Sequence, residues 1–227
     1  MKALIIAYQT IEDELNFVLK DETINLPVIY TEAGLHSYPD RLKEYVQKTI
    51  NQIENVDFIL LGYALCGNGL IGLSSNRATL VLPQYHDCVA MLLGSDDRYR
   101  SKLSTDTGAL FLTQGMMKYF NPKKTFYESV ELRLGPEKAL RYTKYIFKNY
   151  RKFEMVETGA FDPEALFQEI QSQAEFFDLQ ASSMTGTVDV LRKLVQCQWD
   201  DNFQIVPPGQ KIKTWDFHCV TKESLTV

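Results

Sequence analysis

The stretch Phe58-Ile59-Leu60-Leu61-Gly62-Tyr63-Ala64-Leu65-Cys66-Gly67-Asn68-Gly69 decides the reading of the fold. It opens as an apolar run without polar alternation. Such runs suit strands covered on both faces, as in a parallel sheet. It then enters a turn in which two glycines flank an asparagine, residues that accept tight turns and positive φ. Runs of the same kind recur at Lys2–Tyr8, Leu26–Tyr30, Thr79–Leu82, Ala109–Thr113, Phe153–Glu157 and Phe203–Val206.

Helical patterns lie between them. Leu42, Tyr45, Val46, Ile50 and Ile53 share one face of a helix, as do Leu166, Ile170, Ala174 and Phe177. Asp162-Pro163 starts the latter with a cap residue and a proline at the first helical position. Leu140, Thr143, Ile146, Phe147 and Tyr150 mark a third helix, and Val188, Leu191 and Val195 a fourth. Strands alternating with helices predict an α/β fold with a mainly parallel, doubly wound, Rossmann-like sheet and helices on both faces. The irregular segment from Lys118 to Glu137 allows two lobes, 1–117 and 118–209, within one domain spanning 1–209. A single sheet fed by both halves is the other arrangement. Residues 210–227 read as a C-terminal tail.

Composition limits the function classes. The 227 residues are 45% hydrophobic and 23% charged, the profile of a globular chain. With 24 Lys+Arg against 29 Asp+Glu, the net charge of -5 argues against a surface built to follow a polyanion. Residues Phe58 to Asn76 carry no charge, but four glycines, two serines and two asparagines interrupt them, so no membrane span is expected. Four cysteines are too few for a disulfide scaffold, and the expected location is the cytoplasm, with reduced thiols.

In a parallel sheet, ligands sit beyond the carboxyl ends of the strands. Gly67, Asn68 and Gly69 therefore form a candidate cofactor-binding turn, although neither the dinucleotide fingerprint nor the phosphate loop is present. The next strand ends in Pro83-Gln84-Tyr85-His86-Asp87-Cys88. Cys66, His86 and Cys88 carry thiolate and imidazole groups of the kind that bind zinc or iron. If the two strand ends are neighbours, these three converge as metal ligands with an open fourth position. The bland alternative is two packing cysteines beside a turn. Asp87 and Glu157 are candidate proton carriers. His36 and the His218-Cys219 pair are weaker ligand candidates, and Cys197 reads as packing. The segment Lys118–Lys152 holds ten basic and three acidic residues, net +7, which leaves -12 elsewhere. Its Lys and Arg recur at helical spacing and read as a solvated face or a docking surface.

At these motifs the chain resembles the uncharacterised DUF1638 proteins of methanogenic archaea and anaerobic bacteria. Leu60–Gly69, Pro83–Cys88 and Leu92-Leu93-Gly94-Ser95 carry the resemblance, with weaker support from Gly108–Gly115, Glu157-Thr158-Gly159 and Trp199-Asp200. The chain departs from the pattern at Gln84, where the family tends to have Arg. It also departs at Thr107–Thr113, where a Pro-Gly-Thr-Tyr-Tyr-Leu-Thr run is usual, and at Met116, where Trp is usual. The resemblance implies a cytoplasmic protein of an anaerobe, placed near corrinoid-dependent methyltransferase systems.

The leading expectation is thus a metal-binding enzyme or accessory protein of corrinoid-linked one-carbon metabolism, with zinc, iron or an iron–sulfur cluster at Cys66, His86 and Cys88. The alternatives are a metal-free binding module for a cobamide, nucleotide or phosphorylated metabolite, and a protein that docks on a methyltransferase or corrinoid protein. A homo-oligomer is compatible with each; nucleic acid is not an expected partner.

Overall fold

The computed structural model describes residues 2–35, 38–65 and 68–214. It is a mixed α/β structure with two sheets, one mostly parallel and one wholly parallel. The first holds β1 (Ala3–Tyr8), β2 (Val28–Thr31), β3 (Phe58–Gly62), β4 (Thr79–Pro83) and β8 (Phe203–Val206), in the order β2-β1-β3-β4-β8. All its neighbours are parallel except β4 and β8. The second holds β5 (Ala109–Leu112), β6 (Lys152–Glu157) and β7 (Gln180–Thr185) in chain order. The second sheet therefore begins before Lys118, and the chain returns to the first sheet at β8.

The apolar runs explain the first sheet. Ile5 pairs with Leu60 on one side and Val28 on the other, and Leu60 pairs with Val81. Ile5, Ile6, Leu60, Leu61, Val81 and Leu82 are fully buried. Full burial of each such side chain contributes about 1.5–3 kcal/mol, so the run itself drives assembly. Gly62 is glycine because a side chain there would begin 2.8 Å from the Cβ of Ala7 on β1. At the carboxyl ends, the Tyr63 hydroxyl donates to Thr31 Oγ1 at 2.8 Å, and Thr31 Oγ1 donates to the Ala7 carbonyl at 3.4 Å. These bonds tie the ends of β1, β2 and β3 together.

Helices α1 (Glu12–Asp21), α2 (Pro39–Gln52), α3 (Cys88–Leu92), α4 (Asp96–Thr105), α5 (Gln114–Tyr119), α6 (Ser129–Leu134), α7 (Pro136–Phe147), α8 (Pro163–Phe176) and α9 (Asp189–Val195) complete the structure. The irregular segment resolves into a π-helical turn, Lys123–Glu128, followed by α6. The second sheet packs α7 and α8 on one face, through Phe147, Phe153, Met155, Leu166 and Ile170. Its other face turns to the first core through Ala109, Phe111 and Val156.

The seam between the sheets is polar and tight. A side chain on Gly115 of α5 would begin 2.1 Å from the Thr10 carbonyl, so only glycine permits this approach. Glu12 accepts from the Tyr119 hydroxyl at 2.5 Å and pairs with Lys118 at 3.2 Å. The Thr158 hydroxyl, beyond β6, donates to Glu14 Oε1 at 3.3 Å. The other oxygen of Glu14 is buried without a hydrogen-bond partner, as is one oxygen of Asp13 beside it. Burial pushes the Glu14 carboxyl up to about 7.

This sets a pH dependence. The folded value lies above the unfolded one, so protons favour the folded state. The Glu14 contribution is fully present below about 4.5, falls as pH rises towards 7, and then levels. At ~1.4 kcal/mol per pH unit, the Glu14 contribution is about 3 kcal/mol across that window. Glu14→Gln is expected to flatten this slope and raise Tm at pH 8, as measured by thermal melts from pH 5 to 8. An unchanged slope would assign the dependence to other groups.

Candidate ligand cleft

A cavity of about 740 Å³ opens at the carboxyl end of the first sheet, against the second. Tyr8 and Thr10 supply the wall that follows β1. Asp87, Cys88 and Val89 supply the start of α3, and Tyr99 and Leu103 one face of α4. Residues 109–112 of β5 line it as well, with Met116, Phe120, Asn149 and Tyr150. Successive strand residues point to opposite faces of a sheet. That all four line one cavity shows that it runs along the edge of β5. β5 is the outer strand of its sheet, so this edge offers backbone N–H and C=O groups to an occupant. The side chains of the wall are mainly aromatic and aliphatic. Among the described residues none is Lys or Arg, and Asp87 is the one carboxylate.

Local chemistry holds the wall in place. Asp87 is extended, and its Oδ1 accepts the Ala90 N–H at 2.8 Å, capping α3. Ser95 caps α4 in the same way through Arg98 N–H. Tyr99 packs against Phe111 with ring centroids 5.8 Å apart. Lys102 of α4 reaches Glu154 of β6 at 2.9 Å, and Lys152 reaches the same oxygen at 3.1 Å. Glu154 is almost wholly buried, and removing one partner from such a group costs several kcal/mol. This group ties α4, and hence Tyr99 and Leu103, to the second sheet. On the other side, Tyr8 accepts from Gly34 N–H at 2.9 Å.

The expected site residues separate here. Cys88 is 7% exposed and lines the cleft beside Asp87. His86 is exposed; its N–H donates to Asp96 Oδ1 at 2.9 Å, and its ring lies 6.3 Å from that of Tyr99. Burial raises the Asp96 carboxyl, and the His86 N–H works in the opposite direction. Asn68 adopts a left-handed φ of 69°. Gly69 lies against α2, where a side chain would begin 3.0 Å from Leu42 Cδ2. Neither is part of the cleft wall. Glu157 ends β6 half-buried, also away from the wall, and its carbonyl accepts from Gly186 N–H at 2.8 Å. Cys197 has a left-handed φ of 58°, and burial raises its thiol. Cys66, Gly67, His36 and the His218-Cys219 pair lie outside the described residues. Among the described residues, no three His, Cys, Asp or Glu side chains are grouped to hold a metal ion.

Several wall residues were missed in the sequence. Tyr8 and Thr10 follow β1 and were accessible to the strand-end rule applied elsewhere. Tyr99, Phe120 and Tyr150 carry no local signal, because helix and loop packing brings them in. A second depression lies near Arg192, Lys193 and Asp200. Its cations are already engaged, Arg192 by Asp21 and Glu22 at 2.6 Å each and Lys193 by Asp200 at 2.6 Å.

A family model described as "Protein of unknown function (DUF1638)" matches residues 30–195. No curated protein and no solved structure matches the chain.

The cap assigns Asp87 a structural share that a substitution pair can measure. Asp87→Ala is expected to cost about 1 kcal/mol, whereas Asp87→Asn, which still caps, is expected to cost a few tenths. Urea unfolding checks both. Equal losses would show that the carboxylate charge, and not the cap, matters for stability.

Proposed function

The chain belongs to the DUF1638 family, and we propose that it binds a small organic molecule in the cleft between its two sheets. The observation that carries this reading is the cavity itself. Its volume of about 740 Å³ falls in the range of ligand sites, and its wall is apolar with a few polar groups. Its position also suits the role. A doubly wound, Rossmann-like sheet reverses its strand order between β1 and β3, and its ligands gather beyond those carboxyl ends. Tyr8, Thr10 and Cys88 stand at that end of the first sheet.

The wall favours one ligand class over others. A phosphate group needs cationic side chains or a cradle of N–H donors. With no Lys or Arg among the described residues of the wall, an uncharged or cationic ligand fits better than a nucleotide or phosphorylated metabolite. The β5 edge supplies directional hydrogen bonds, and the rings of Tyr8, Tyr99 and Phe111 supply apolar contact. On the family resemblance, we place this binding in corrinoid-linked one-carbon metabolism of the cytoplasm. Among the described residues, no helix is long and apolar enough to cross a membrane.

Small molecules released by denaturing the purified protein test the reading. Mass spectrometry is expected to find at least one compound at near-stoichiometric level. Leu103→Trp, which narrows the cleft from the partly exposed face of α4, is expected to reduce it more than tenfold while preserving Tm within a few degrees. Equal release from both proteins would remove the cleft as the binding site.

A second reading rests on Cys88 lying in the wall with His86 two residues before it. With Cys66 these would hold zinc or iron, which would supply Lewis-acid activation of a thiol or water. Asp87, the carboxylate of the wall, would then be the proton carrier nearer the ligand than Glu157. Elemental analysis of protein purified without oxygen decides this. Near-stoichiometric metal, lost in both Cys66→Ala and Cys88→Ala, supports the centre; metal-free wild-type protein removes it.

A further inference from the structure

The outer side of the second sheet carries two helices of opposite charge. Helix α7 buries Ala139, Thr143 and Phe147 and exposes Lys138, Arg141 and Lys144, with Lys148 exposed at its C-cap. Its single carboxylate is Glu137. Helix α8 buries Leu166, Ile170 and Ala174, and exposes Glu164, Glu169 and Glu175. Asp178 follows, and no Lys or Arg occurs from Pro163 to Gln180. The turn Lys123–Glu128 joins the two helices. Phe126 packs on Phe147 at 5.3 Å between ring centroids, and Tyr127 packs on Phe176 at 4.9 Å. The basic and acidic stripes therefore share one side of the molecule.

Intrachain contacts leave these charges largely unneutralised: Glu169 accepts from Asn121 and Glu175 from Gln171, both at 3.2 Å and both neutral donors, and Lys148 lies 4.5 Å from the Tyr145 ring centroid. Among the described residues, no ion pair joins α7 to α8. Among the described residues the one ion pair on these helices, Arg141 with Glu137 at 3.6 Å, lies within α7 and is highly exposed. The same side is also unusually apolar. Among the described residues twelve large hydrophobic side chains are exposed, and six of them belong to α6, α7 and α8: Leu132, Leu134, Leu140, Tyr142, Tyr145 and Phe176. Apolar and aromatic anchors among charges are a composition suited to a protein interface.

A stripe of each sign, side by side, is complementary to its own copy. A two-fold axis along their boundary lays α7 of one copy on α8 of the other, twice. A polyanion or an anionic lipid surface would meet the acidic α8 with repulsion, as would a uniformly acidic protein. We propose that this face is the interface of a homodimer, with the basic stripe of each protomer seated on the acidic stripe of its partner.

Sedimentation velocity of the full chain tests this. The wild type is expected to sediment as a dimer at low ionic strength, with a dissociation constant at least about tenfold weaker in ~0.5 M salt. Arg141→Glu with Lys144→Glu is expected to leave a monomer, and so is Glu164→Lys with Glu175→Lys. An equimolar mixture of the two variants is expected to restore a dimer, because each reversed stripe then meets a reversed partner. Circular dichroism identifies any variant that does not fold, and Lys144→Gln or Glu175→Gln then replaces it, with a weakened dimer expected. A wild type that is monomeric throughout overturns the proposal. So does a dimer indifferent to the reversals, or a mixture of folded variants that stays monomeric.

Discussion

The contact between the Thr10 carbonyl and Gly115 governs how the two sheets meet. The turn after β1 comes so close to the start of α5 that no side chain fits between them. This approach brings Glu12 to Tyr119 and Lys118, and Glu14 to Thr158. It also sets the edge of β5 across from Tyr8 and Cys88, and so creates the cleft. A larger residue at position 115 would push the two walls apart and alter every distance across the cavity.

The seam is held by polar groups under cost, not only by apolar burial. Glu14 sits without solvent and leaves one oxygen without a hydrogen-bond partner. An unsatisfied buried oxygen costs on the order of 1–3 kcal/mol, and the cost grows when the carboxyl ionises. The large first core can carry such a cost. The second core is smaller and relies on aromatic packing, with Phe147 touching Phe126, Phe153 and Phe177. The joint between sheets is thus sensitive to protonation in a way that either core alone is not.

The strands covered on both faces were legible because burial demands an apolar run. The edge strand β7 was not. Its sequence, Gln180-Ala181-Ser182-Ser183-Met184-Thr185, is polar and half-exposed, and pairing with β6 alone makes it a strand. The short helices α3 and α5 were hidden for a related reason. Five or six residues show too little periodicity, and their caps, Asp87 and Thr113, look like ordinary loop residues. Helix α4 has no buried residue at all, so its hydrophobic pattern could not announce it. The candidate cleft was partly legible: the strand-end rule points to Asp87 and Cys88, which line its wall, and equally to Asn68, Gly69 and Glu157, which lie off it.

By itself, then, the sequence determined the α/β class, the mainly parallel pairing of the apolar runs and the turn chemistry between them. Those properties follow from local burial and local backbone preference, which neighbouring residues express directly. Only the tertiary structure decided that there are two sheets, that β8 returns to the first, and that a cleft forms along the β5 edge. These depend on contacts between residues more than a hundred positions apart, such as Thr10 with Gly115 and Glu14 with Thr158. No local pattern in the chain encodes such a pairing, because each partner taken alone is compatible with many others.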